Sequence, residues 1–201
     1  GNFKEFVREV GLNEVMLMYL NGFENTAEDP NENYSRELYE LFTLGVDNGY
    51  TQMDIVETSR ALTGYNHRNV FCDSVIFGTS TFDASEKTIF GRTGNWGYDD
   101  VIDILFEEKA PLIANFICTK IYTYFVSPVV NETIVDDLAS EFVLDFDIAK
   151  LLKRLFKSEH FFDSEAIGTL IKSPYDLSHN YMKTTNFTIN PSDFGSIFYY
   201  N

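Results

Sequence analysis

Apolar side chains recur at three- and four-residue spacing through most of this chain. Each run ends at a glycine, a proline or a capping residue, so the backbone is committed to short packed helices. Phe3, Phe6 and Val7 form one run before Gly11, and Val15, Met16, Met18, Tyr19 and Leu20 form another before Gly22. A polar, acidic stretch containing Pro30 leads into a helix over Tyr34 to Leu44, capped by Asn33 and stopped by Gly45. Thr51 and Asp54 have the spacing of a capping box, which launches a helix to Leu62 or Thr63 that Gly64 ends. Asp99 and Asp100 open a helix running to about Glu107, and Ala110 to Val126 is the longest helix. Asn131 to Val143, Asp147 to Lys157 and a segment from Pro174 to near Lys183 follow.

Only between Asn66 and Gly97 does the pattern change. There Val70, Phe71, Val75, Ile76, Phe77, Phe82, Ile89 and Phe90 sit among Ser, Thr, Asp and Gly, the chemistry of two or three short hairpin strands. The expected architecture is mainly α, a single helical domain over residues 1–201 with one small β-hairpin insertion. Its parts are a helix pair at 34–63, the insertion at about 66–97 and a helical C-terminal part at 98–201, with a last aromatic turn over Pro191 to Tyr200.

Composition narrows the function classes. Fifteen Lys and Arg against thirty-one Asp and Glu leave a net charge of −16, and no window gathers a basic patch, so nucleic acid is not an expected partner. No stretch approaches the roughly eighteen uncharged apolar residues of a spanning helix, because the best candidate, Pro111 to Val130, is interrupted by Lys120. Nineteen Phe and twelve Tyr are the unusual count, and they suit both a well-filled core and a wet-edged interface. Two cysteines, Cys72 and Cys118, allow either one disulfide or two small buried hydrophobes.

Three helices turn an ionisable side chain onto an apolar stripe. Glu37 lies in line with Tyr34, Leu41 and Leu44; Arg60 follows Met53 and Val56; Lys120 sits among Ile113, Phe116, Ile117, Ile121 and Tyr124. An unpaired buried charge costs several kcal/mol, so the sequence predicts a buried polar cluster of Glu37, Arg60 and Lys120. Glu40 or Glu32, or a bound anion, would then balance the surplus positive charge. Arg36 is expected to make a solvated pair with Glu40, and Lys87, just before the Gly91 to Gly97 loop, to be exposed although within reach of the helix pair. Such a cluster is either a structural network pinning the helices or an anion pocket, with Arg60 as a bidentate clamp and Lys120 as a point charge or base.

Other motifs lead nowhere specific. Asp29 to Glu40 spaces its oxygens like a calcium loop but places Tyr34 where glycine is needed. Gly91 to Gly97 lacks phosphate-loop spacing and is followed by Asp99 and Asp100. His67, His160 and His179 share no metal-ligand spacing, so neither a metal nor a cofactor is expected.

The blocks Pro30-Asn-Glu-Asn-Tyr-Ser-Arg-Glu-Leu-Tyr-Glu-Leu-Phe-Thr-Leu-Gly45 and Arg60-Ala-Leu-Thr-Gly-Tyr65 resemble the bacterial family of domain of unknown function 1800. Lys87-Thr-Ile-Phe-Gly91, Phe116-Ile-Cys-Thr-Lys120 and Lys172-Ser-Pro174 continue the likeness in order, from about Leu12 to Pro174. The chain departs from it in having Phe82-Asp83 in place of His-Asp, and Tyr65 in place of Trp. The resemblance implies export to the cell envelope or beyond, a longer family-type chain of which this is a fragment, and no transferable activity. The expected role is a non-catalytic binding or assembly domain contacting a protein or surface polymer. The alternative is a hydrolase or transferase acting on an anionic or sugar-like substrate through Glu37, Arg60 and Lys120.

Overall fold

The computed structural model describes residues 1–65, 67–68, 75–164 and 166–186, so Cys72 and the expected aromatic turn at 191–200 lie outside the described residues. Among the described residues the chain is mainly α, with nine α-helices and two small antiparallel hairpins. Helices α1 (Phe3–Gly11) and α2 (Glu14–Tyr19) start at Asn2 and Asn13, whose side chains accept from the Glu5 and Val15 amides. The loop that follows is fixed by buried Asn25, which donates to the Ser59 carbonyl at 2.8 Å and accepts from the Asn31 amide at 2.9 Å.

The third helix departs from the expected regular run. It begins as α3 (Asn33–Glu37) and continues as a π-helical segment, Leu38–Thr43. The Leu44 and Gly45 amides both reach back to the Tyr39 carbonyl, at 2.8 and 3.1 Å, and the Thr43 hydroxyl donates to the Leu38 carbonyl at 2.6 Å. The wider turn lets Leu38, Tyr39 and Thr43 all point inward while Leu41 stays about half exposed. Asn33 is not the cap: its side chain donates to the Leu20 carbonyl, and its amide is held by Asn31. The cap position falls on Glu32, which makes no capping hydrogen bond.

Helix α4 (Gln52–Ala61) carries the expected Thr51/Asp54 capping box. Its buried side is Ile55, Thr58, Ser59 and Ala61, whereas Met53 is exposed, so the apolar stripe read through Met53, Val56 and Arg60 is corrected. Hydroxyl residues occupy the inward face because each finds a partner. Ser59 donates to the Val56 carbonyl, and Thr58 meets the Tyr39 hydroxyl at 2.5 Å.

The insertion holds β1 (His67–Arg68) paired with β2 (Val75–Ile76), and β3 (Lys87–Ile89) paired with β4 (Arg92–Gly94). A two-residue turn joins β3 to β4, and both its residues, Phe90 at φ 49° and Gly91 at φ 81°, lie in the left-handed region, as a type I′ turn demands. Phenylalanine is a costly choice there, about 1–2 kcal/mol against a glycine. Its ring is packed instead against Tyr39, with centroids 5.2 Å apart, beneath the Lys109 ammonium at 4.6 Å.

Helices α5 (Tyr98–Glu108), α6 (Ala110–Phe125), α7 (Glu132–Phe142) and α8 (Ile148–Lys157) complete the core, and α9 (Pro174–Thr185) buries none of its residues. Asn131, Asp147 and Ser173 cap α7, α8 and α9 with their side-chain oxygens. Gly11 is where α1 passes α3 and α5: a Cβ there would meet the Tyr34 and Tyr98 hydroxyls at 2.1 Å.

Candidate functional site

Arg60 stands at the end of α4 that faces the β3–β4 hairpin, and the side chains of this helix grip that hairpin's backbone. Asp54 accepts from the Phe90 amide at 2.7 Å, Glu57 accepts from the Thr88 amide at 2.8 Å, and Arg60 donates to the Glu86 carbonyl at 3.3 Å. Residues three apart on the helix thus meet residues two apart on the strand. Three helical residues rise about 4.5 Å and two extended residues about 6.6 Å. The side chains grow from Asp to Glu to Arg in the direction in which that offset accumulates.

Arg60 is fully engaged. Its Nε donates to Asp83 at 2.8 Å, Nη1 to both Glu57 oxygens at 2.8 and 2.9 Å, and Nη2 to the Ser85 hydroxyl at 2.5 Å as well as to Glu86. Burial disfavours charge on the guanidinium, but the hydrogen bonds it donates to Asp83 and Glu57 outweigh it and raise its pKa. Burial likewise opposes ionisation of Asp83. Hydrogen bonds from the Ser85 hydroxyl and amide, and from Arg60, overcome it and hold that carboxyl at about 2. The Asp83 amide is tied in turn to the Thr63 hydroxyl at 2.8 Å.

Lys87 is buried, at 1% exposure, which corrects the expectation of an exposed lysine. Strand alternation explains it, because Lys87 and the core residue Ile89 share one face of β3 and Thr88 takes the other. Its ammonium donates to the Asp83 carbonyl, and to the Ser85 carbonyl at 2.9 Å, and lies 4.9 Å from the Phe82 ring centroid. Burial lowers its pKa, with the Asp83 charge opposing.

The other nominated residues are elsewhere. Among the described residues no hydrogen bond or ion pair joins any two of Glu37, Arg60 and Lys120. Glu37 is half-buried. Lys120 is exposed on α6, over the Phe116 ring at 4.8 Å, and donates to the Leu41 carbonyl at 2.9 Å. The buried side of α6 is Ile113, Ala114, Ile117, Cys118 and Tyr122, one step around the helix from the stripe that contained Lys120. Arg36 pairs with Glu40 at 3.4 Å as expected, and also with Glu32 at 2.9 Å and Gln52 at 3.0 Å. Cys118 is a buried free thiol, its pKa pushed up to about 12 by burial.

The residues that complete the Arg60 centre, Glu57 and Asp83, were not singled out from sequence. Glu57 carried a signal, since it lies three positions before Arg60 on one helix. Asp83 was visible only in the Phe82-Asp83 pair that replaces His-Asp, with nothing in the sequence to set it against Arg60, which lies 23 positions earlier. Chemically the centre is committed to the fold: all three guanidinium nitrogens are hydrogen-bonded, its Asp83 carboxylate is too acidic to accept a proton near neutrality, and its lysine is capped by carbonyls. Among the described residues no group of three or more His, Cys, Asp or Glu side chains gathers as a metal site, and no helix is long and apolar enough to cross a membrane.

A different feature is open. Helices α1 and α2 and the π-helical segment enclose an apolar groove of about 310 Å³, with Lys120 on its rim. Neither the comparison with curated proteins nor that with solved structures gives a match. The family model described as "Protein of unknown function (DUF1800)" matches residues 1–197, further in both directions than the motifs quoted above, and the chain belongs to that family.

Proposed function

We propose that the chain is a non-catalytic binding or assembly domain of an exported protein, contacting a protein or a surface polymer through the aromatic and aliphatic side chains of its C-terminal part. The supporting observation is the exposure of large apolar residues there. Tyr124 is 74% and Ile171 97% exposed, and Phe162, Ile167, Tyr175, Leu177 and Tyr181 are exposed with them. Phe125, Phe162, Ile167 and Leu170 line one shallow depression, and α9 adds Leu177 and Tyr181 four apart on one helical face. Export is supported only by the likeness drawn from the sequence motifs.

The hydrolase or transferase alternative loses its anchor, because Arg60 spends its donors within the fold and Glu37 and Lys120 do not join it. The test is sedimentation of the purified chain with isolated bacterial cell envelopes, left intact, treated with protease or digested with glycan hydrolases. Wild type is expected to sediment, one of the two treatments to release it, and a Tyr124→Ser, Phe162→Ser, Ile171→Ser variant to remain in solution. Equal sedimentation of the variant sinks this reading, and turnover of a glycosyl or acyl ester abolished by Glu37→Gln would favour the alternative.

A further inference from the structure

The groove between α1, α2 and the π-helical segment is separate from the C-terminal face and shares no lining residue with its depression. Phe3, Val7 and Val10 of α1, Met16 of α2, and Leu38 and Phe42 of the π-helical segment make its walls. A volume of about 310 Å³ is at the lower end of ligand sites. It is roughly twice the engineered cavity in another protein that admits benzene, which by that ratio suits an aliphatic chain of about ten to twelve carbons. The aliphatic and aromatic walls offer such a chain burial along its length, and the polar side-chain groups among the lining residues are the Tyr34 hydroxyl and the Lys120 ammonium.

One charge sits at this groove. Lys120 uses one of its three ammonium hydrogens on the Leu41 carbonyl and has no acidic partner among the described residues, which leaves donors free at the mouth. In a chain carrying −16 net charge, an exposed ammonium without a carboxylate beside an apolar cleft is complementary to a monoanionic head on an apolar tail. The surrounding surplus of acid penalises a dianionic head more than a single negative charge. We infer that this groove binds an unbranched aliphatic carboxylate, its chain along α1 and the π-helical segment and its carboxylate on Lys120.

Calorimetry on the full 201-residue chain with octanoate, dodecanoate and dodecanol tests this directly. Dodecanoate is expected to bind tighter than octanoate, by about fourfold for each further methylene that is buried. It should also bind tighter than dodecanol by about tenfold, the worth of one charge-assisted hydrogen bond. Lys120→Met keeps the apolar stem and is expected to remove the preference for carboxylate over alcohol, and Lys120→Arg to retain it. Val10→Trp should block both ligands, with unfolding curves confirming that it folds; Lys120 is exposed, so its variants decide the matter whether or not Val10→Trp folds. The inference is overturned by absence of dodecanoate binding, or by equal binding of acid and alcohol unaffected by Lys120→Met. It is also overturned by self-association that dodecanoate does not reverse, or by association with phosphatidylglycerol vesicles without binding of free dodecanoate.

Discussion

At the scale of single residues, the clearest consequence of the structure is the cost of touching Lys87. Lys87→Met keeps the stem and its packing against Phe82 but leaves the Asp83 and Ser85 carbonyls short of a donor. A loss of about 1–3 kcal/mol is expected, measured by urea unfolding. Asp83 makes a complementary pH prediction. Its folded pKa is depressed from 3.8 to about 2, so its contribution is complete above the ordinary value and is lost as pH falls through the folded one. Stability should decline between about pH 4 and pH 2. In Arg60→Met that acid limb should become shallower without vanishing, because the guanidinium's share of the depression is gone while the Ser85 hydroxyl and amide still donate to Asp83. Substitution of Arg60 should also lower neutral stability by about 1–3 kcal/mol, less than for a fully buried pair because the guanidinium remains partly exposed. Cys118, with its thiol raised to about 12, should resist thiol reagents at neutral pH in a Cys72→Ser background until the chain unfolds.

At the scale of elements, α4 and β3 behave as one unit. Glu57→Ala should cost about 1–2 kcal/mol and speed hydrogen exchange at the Thr88 amide, with little change at amides of α7 and α8. Uniform acceleration across the chain would show instead that the strap has no local role. Much of the element pattern was legible because it is local chemistry. Thr51 with Asp54, Asn131, Asp147, and Ser173 with Asp176 each cap the helix that immediately follows. What was illegible depends on partners distant in sequence. Thr58 and Ser59 read as polar yet face inward, because Tyr39 and the Val56 carbonyl satisfy them, and that displaces the inferred stripe and with it Arg60. Within the π-helical turn Tyr39 packs against Tyr50 and Phe90, partners that no spacing within Leu38–Thr43 announces. The burial of Lys87 follows from its two-residue spacing from Ile89, a signal that the charge of a lysine masks.

At the scale of the whole molecule, a mainly helical architecture with small hairpins follows from patterning alone, and the family match over residues 1–197 covers nearly all of the chain. Buried phenols add a limit at high pH. Burial raises Tyr34 to about 12, and raises Tyr39 and Tyr98 as well, so their contribution is intact below pH 10 and fades as pH rises through the folded values. Phenolate absorbance should therefore rise in two steps, exposed tyrosines first, the second step coinciding with loss of near-ultraviolet dichroism. A single step with the dichroism retained would contradict that burial. The helix that straps β3 also has a protective effect. A short hairpin normally presents one row of amides and carbonyls on which a neighbouring molecule can build, and natural proteins guard such rows against aggregation. Here Asp54, Glu57 and Arg60 occupy that row. Removing the two carboxylates together should let the hairpin recruit further copies strand upon strand, with thioflavin fluorescence rising above that of the intact chain.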